Sequence, residues 1–325
     1  MNDRLTVDVH LDPSELEAAL RADVLAGLGG RPYSLPPKWF YDAAGSELFD
    51  QITTLDEYYP TEAERAALQQ CAELIVGISG ADTVMELGSG SSDKTRVLLD
   101  AFSAAGQLQR YVPFDVSETA LRSAADSLVA RYPDLQVHGV VGDFDRHLDR
   151  LPTDGLRLLM FLGGTLGNYT PGPRATLLAQ MAATLRAGEW LLLGTDLVKD
   201  TGRLVTAYDD AAGVTAAFNL NVLRVVNREL GADFDVDSFE HVALWNADAE
   251  WIEMRLRAGR DMTVRVPPLD LEVPLVAGEE ILTEVSAKFR RDGIAAELAT
   301  AGFEVVEWWT DPAGDFALSL SHRTD

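Results

Sequence analysis

Five largely apolar runs, at 83–87, 110–114, 136–141, 156–162 and 190–194, are spaced through the middle of the chain. They read as near-continuous apolar stretches rather than alternating ones, which marks strands covered on both faces. Segments 118–130 and 173–185 between them carry apolar residues at helical spacing. Strand–helix alternation of this kind predicts a parallel sheet flanked by helices, with right-handed crossovers. After Asp196 the rhythm changes to helical segments at 201–211 and 214–230, then strand-like runs at 242–246, 250–257, 263–266 and 269–273. It resumes with a helix at 288–301 and strands at 304–310 and 316–321. The expected fold is α/β: a Rossmann-like sheet from 61–196 and 287–325, with a smaller α+β lobe from 1–60 and the insertion 197–286.

Local signals place the helix ends. Asp12-Pro13-Ser14-Glu15 offers a cap, a proline and an acid in the order a helix start favours, and Gly29-Gly30 ends that helix. Thr61-Glu62-Ala63-Glu64 reads as a capping box opening a helix to about Gly77. The segment 31–60 between them is rich in Pro and aromatic residues (Tyr33, Trp39, Phe40, Tyr41, Phe49, Tyr58, Tyr59), too apolar for a free linker.

The candidate chemistry gathers at strand ends. Glu86-Leu87-Gly88-Ser89-Gly90 ends the first run, and a helical pattern begins at Thr95. Glycines there let a ligand approach the backbone, and the helix start presents free N–H groups. A dinucleotide fingerprint needs a third glycine where Asp93 stands, which disfavours NAD. Glu86, ahead of the glycines, suits a ligand with a cationic amine, and this favours S-adenosylmethionine. Asp115 ends the second strand, 27 residues after Gly88, where a carboxylate accepts from ribose hydroxyls. Gly142-Asp143-Phe144 follows the third strand, with an acid for an adenine amino group and a ring beside it. Phe161-Leu162-Gly163-Gly164-Thr165-Leu166-Gly167-Asn168 ends the fourth, with glycines for close approach and an amide that both donates and accepts.

Composition removes other classes. There are 52 acids against 27 bases, a net charge of −25, and no basic stripe, so a nucleic-acid substrate is not expected. Asp233-Phe234-Asp235-Val236-Asp237 starts like a calcium loop, but Ser238 stands where glycine is needed and Leu244 where the last ligand belongs. The histidines lack ligand spacing, so no metal is expected. Cys71 is the single cysteine, Met1-Asn2-Asp3-Arg4 has no signal pattern, and no apolar run approaches membrane length. The expectation is a cytoplasmic monomer acting on small molecules.

With these residues in view, the chain closely resembles the L-histidine Nα-methyltransferases of ergothioneine biosynthesis, from about Ser34 to Ser321. The resemblance rests on Ser34-Leu35-Pro36-Pro37-Lys38-Trp39-Phe40-Tyr41-Asp42, Glu57-Tyr58-Tyr59-Pro60-Thr61, the Glu86–Gly90 turn, Gly194-Thr195-Asp196-Leu197-Val198-Lys199-Asp200, Leu282-Thr283-Glu284-Val285-Ser286 and Thr310-Asp311-Pro312-Ala313-Gly314-Asp315-Phe316. It implies a class I methyltransferase domain with a second lobe for the amino acid, and three methyl transfers from S-adenosylmethionine to the α-amine of L-histidine, giving hercynine. By the same resemblance, Gly88, Lys94, Asp115, Asp143 and Phe144 contact the donor, beside Glu86 and Gly90 of the turn. Tyr58, Gly163, Asn168, Tyr208, Met254, Glu284 and Ser286 form the histidine site. Asn168 and Tyr208 take the amino-acid groups, and Glu284 and Ser286 take the imidazole. Tyr41, or a water it holds, is the candidate for removing the amine proton, with Asn168 beside the methyl path. Two alternatives stay open: another acceptor such as tryptophan, or a non-catalytic adenosylmethionine sensor.

Overall fold

The structure, a computed structural model, describes residues 4–90, 92 and 94–324, with Pro13 by its backbone alone. Asp93 and the first three residues, used in the readings above, lie outside the described residues. Fourteen strands occur among the described residues: β1 (Leu5–Val9), β2 (Tyr33–Ser34), β3 (Thr83–Leu87), β4 (Arg110–Asp115), β5 (Gln136–Val141), β6 (Arg157–Phe161), β7 (Trp190–Asp196), β8 (Phe239–Asn246), β9 (Trp251–Ala258), β10 (Met262–Val266), β11 (Leu271–Leu275), β12 (Glu280–Ala287), β13 (Phe303–Thr310) and β14 (Phe316–Arg323). The chain divides into two compact units. One comprises the chain up to Leu11, Pro60–Leu197 and the chain from Phe289 on; the other comprises Asp12–Tyr59 and Val198–Lys288.

The first unit is built on one eight-stranded sheet in the order β1-β5-β4-β3-β6-β7-β14-β13. Neighbours from β1 to β7 run parallel, while β14 is antiparallel to β7 and β13 to β14. Every residue of β3 and β6 is buried, as largely apolar strands covered on both faces require, with Glu86 and Arg157 as buried charged exceptions. Chain order reverses at β3, which has β4 on one side and β6 on the other; open α/β sheets bind ligands at such a point. The helix Pro60–Ser79 buries Ala67, Leu68, Cys71 and Ile75, all at 0% exposure.

One expectation is corrected here. The N-terminal residues were assigned to the second lobe, yet β1 adds to the large sheet, pairing in parallel from Leu5 opposite Val137 to Val9 opposite Val141. Its sequence alternates, with a burial pattern suited to an edge, and that short signal was overlooked.

The second unit carries a four-stranded sheet, β2-β12-β9-β8, and the hairpin β10-β11. Helix Val214–Leu230 buries Phe218, Val222, Val225 and Val226 on one face. Helix Ala43–Ile52, capped by Asp42 through Gly45 N, falls in the aromatic segment. Neither that helix nor β12 was predicted as an element.

Candidate active site

In the first unit, β3 delivers the chain into a turn at which Gly88 and Gly90 take φ of +69° and +48°, a left-handed conformation natural to glycine. Among the described residues, a Cβ added at either glycine would meet no atom within 4 Å, so these residues leave space beside the turn. The turn is stitched down by Gly88 N donating to Phe114 O at 2.8 Å and Gly90 N donating to Asp115 Oδ2 at 2.8 Å. Asp115 Oδ1 accepts from Ser117 N at 2.9 Å, and Ser117 caps the next helix. Burial holds the Asp115 carboxyl above its usual range. A carboxylate has about four acceptor positions, so Asp115 retains capacity for hydroxyl donors. Asp143 caps the short helix Phe144–His147 through Asp145 N, and the Phe144 ring lies 5.6 Å from Phe161 and 6.4 Å from Phe114.

Glu86 has a structural part that its position in the sequence does not announce. It is buried, with Oε1 accepting from Thr95 Oγ1 at 2.5 Å and Oε2 from the Tyr111 hydroxyl. Burial pushes it up to about 7 despite these bonds. The carboxyl ties the first residue of helix Thr95–Ala104 to the sheet and so holds the glycine turn in place.

Glu64 is a residue the sequence reading misplaced. Its place after Thr61 reads as that of a capping-box acid, but Glu64 is wholly buried. Its oxygens accept from Gly163 N at 2.8 and 3.0 Å and from Lys94 Nζ. It thereby joins the start of helix Thr95–Ala104 to the loop after β6, where Gly163 and Gly164 take φ of +77° and +68°. The signal was present: Glu64 shares a helix face with Ala67, Leu68 and Cys71, and an acid on an apolar face demands a buried partner. Glu64→Ala leaves the Gly163 N–H without its acceptor. It should lower unfolding free energy in urea by about 2–3 kcal/mol, with Glu64→Gln costing less. Asn168, at the end of that loop, is half-buried, and its side chain forms no hydrogen bond among the described residues.

In the second unit the predicted site residues gather around β12. Glu284 lies opposite Met254 in the β12–β9 pairing, and Ser286 projects from the same face two residues on. Met254 is 2% exposed and Glu284 8%. No hydrogen-bond donor reaches Glu284 among the described residues; burial pushes it up to about 7, and Lys288 pulls it back only in part. Ser286 Oγ is 2.7 Å from the Tyr208 hydroxyl. Behind them, His241 Nε2 donates to Tyr208 O and its Nδ1 accepts from Asn219, whose Oδ1 accepts from Thr283 at 2.6 Å. Burial holds His241 below its usual range, consistent with this neutral tautomer. A chain of rings runs from Tyr41 to Phe49 (5.5 Å), Phe49 to Tyr58 (6.3 Å) and Tyr58 to Tyr208 (6.2 Å). Lys288, which sequence reading passed over, stands with Glu284 and Ser286 on alternate positions; that E-x-S-x-K spacing was the signal available.

The profile of the family described as "Histidine-specific methyltransferase, SAM-dependent" matches residues 20–323. This chain belongs to that family. Among its relatives, a protein of Mycolicibacterium smegmatis named Histidine N-alpha-methyltransferase is 60% identical over 98% of this chain and 99% of its own length. A Mycobacterium tuberculosis protein of the same name is 56% identical over 98% of this chain and 100% of its own. Ergothioneine biosynthesis protein 1 of Neurospora crassa is 30% identical over 86% of this chain, which spans 32% of that longer protein. Membership makes the chain an S-adenosylmethionine-dependent methyltransferase. Among the described residues, no helix is long and apolar enough to cross a membrane.

Proposed function

We propose that this chain methylates the α-amine of L-histidine three times to give hercynine, the first step of ergothioneine biosynthesis. The observation that carries the reading is Glu284, a buried carboxylate with no hydrogen-bond donor among the described residues, set beside the Ser286 hydroxyl. Such a group is costly unless a ligand supplies a donor, and an imidazole N–H does so. An indole offers a donor but no ring acceptor for Ser286. The names of the high-identity relatives support histidine.

The residues present fit a nucleoside donor. The open glycine turn at Gly88 and Gly90 admits its backbone-facing edge, Asp115 retains acceptor positions for ribose hydroxyls, and Asp143 and Phe144 are assigned to the base. S-Adenosylmethionine, when bound, supplies an electrophilic methyl group and its own leaving group. Lys94, held by Glu64, is assigned to the donor's anionic end. The protein's work is alignment at about 3–3.5 Å and exclusion of water. The amine must also lose a proton, since an α-amine titrates near 8 or above. Tyr41 is assigned that proton, directly or through a water; Phe49 and Phe218 hold its ring at 5.5 and 5.4 Å. Asn168 and Tyr208 are assigned to the amino-acid groups, Tyr58 and Met254 to the wall, and Gly163 to the space that added methyls need.

The reading includes a cytoplasmic monomer without metal, nucleic-acid or membrane partners, which sedimentation at the mass of one chain would support. The deciding experiment is mass spectrometry of histidine incubated with the protein and donor. Mono-, di- and trimethylhistidine should appear in turn. Methylation of tryptophan with histidine untouched would overturn the reading.

A further inference from the structure

Lys288 follows β12, two residues beyond Ser286, and is only 4% exposed. Its Nζ donates to Ser286 Oγ and to the Tyr208 hydroxyl, both at 2.9 Å, and lies 4.7 Å from the Tyr208 ring centroid. The two hydroxyl oxygens are themselves 2.7 Å apart, so ammonium and hydroxyls close a small ring of hydrogen bonds.

An ammonium has donors only, whereas a hydroxyl has one proton and two acceptor positions. Lys288 therefore fills one acceptor position on each oxygen. Within the Tyr208–Ser286 contact, one hydroxyl donates to the other. The phenol is the stronger acid and the serine oxygen the better acceptor, which assigns the donor role to Tyr208; Ser286 then accepts twice and its own proton is all it has left for a ligand. Without Lys288, the serine hydroxyl would be free to rotate and to accept as readily as donate. Two residues earlier on the same strand face, Glu284 supplies an acceptor. A neutral imidazole presents one N–H and one unprotonated nitrogen. A fixed acceptor and a fixed donor two residues apart on one strand complement that pair.

We propose that Lys288 is a positioning residue for substrate selection: it commits the Ser286 hydroxyl to donate to the unprotonated ring nitrogen of the substrate. The inference rests on the reading that Glu284 and Ser286 hold the imidazole. Lys288 touches no reacting atom and acts through Ser286.

The test crosses a ligand change with a residue change, as a double-mutant cycle does. The two pyrrolylalanine isomers keep one ring N–H and replace the other ring nitrogen by C–H. Their dissociation constants and that of histidine are measured calorimetrically at pH 8 on the full chain. In the unmodified protein the better pyrrolylalanine should bind at least tenfold more weakly than histidine. In Lys288→Met, histidine should weaken to that level and the ratio should fall below about threefold, as in Ser286→Ala. Lys288→Arg, which keeps donors, should retain most of the discrimination. Adenosylmethionine affinity should stay within twofold throughout. A tenfold ratio persisting in Lys288→Met overturns the proposal, and so does a parallel loss of adenosylmethionine binding, which would make Lys288 a support of the fold. Glu284→Gln in the same titration separates the two failures. Undiminished histidine affinity there withdraws the imidazole reading itself. Weakened affinity, with discrimination surviving in Lys288→Met, withdraws only the role of Lys288.

Discussion

Glu284→Gln should make the protein more stable and a poorer binder of histidine. Burial moves the Glu284 carboxyl from 4.5 up to about 7. At pH 4 the group carries its proton in both the folded and unfolded chain, and the substitution changes little. Between about 4.5 and 7 only the unfolded chain ionises, so folding loses ground as pH rises. Above 7 the full penalty applies, about 3 kcal/mol for a displacement of that size. Removing the charge should therefore raise the melting temperature by roughly 5 °C at pH 8 and hardly at all at pH 4. Histidine affinity should fall about tenfold, because an amide oxygen accepts the ring N–H without charge assistance. Glu284→Ala, with no acceptor, should lose more. Scanning calorimetry at the two pH values, with a histidine titration, reads all of this. A variant destabilised at pH 8 would sink the claim that this carboxylate is held uncompensated for a ligand.

Asp115→Ala should act on the other ligand. Asp115 anchors Gly90 N and Ser117 N and is assigned to the ribose hydroxyls, so its loss removes charge-assisted bonds and loosens the turn. Donor affinity should drop about 100-fold, near 3 kcal/mol, while histidine binding measured without donor stays within about twofold. Asp115→Asn should lie between the two. Equal loss of both affinities would point to collapse of the first unit's turn and sheet edge rather than to a missing contact.

The large sheet was legible because its strands are apolar on both faces; β3, β6 and β7 stand where the runs placed them, extended or trimmed by a residue or two. The turn after β3 was legible because paired glycines at a strand end mark backbone that turns left-handed, as Gly88 and Gly90 do. The reading failed where function interrupts pattern. Strand β12 carries Glu284, Ser286 and, just beyond it, Lys288 at buried positions, so it lacks the alternation of an ordinary strand. Glu64 was mistaken for a cap because Thr61 and Glu64 satisfy the local motif, while the partners that claim its carboxylate, Gly163 and Lys94, are remote in sequence. Helix Ala43–Ile52 is amphipathic, but it has only 10 residues, begins with two alanines and a glycine, and lies in a segment whose prolines and aromatic residues mask its start.

The pairing of β1 with β5 bears on how the protein can be handled. That five-residue ribbon covers the hydrogen-bonding groups along one margin of the sheet. A clone trimmed to begin at Asp12, where the second unit's segment starts, would strip them bare, and an uncovered margin is a template for other chains. Insoluble product from such a shortened gene would then reflect self-association through a lost ribbon, not an inability of the remaining core to form.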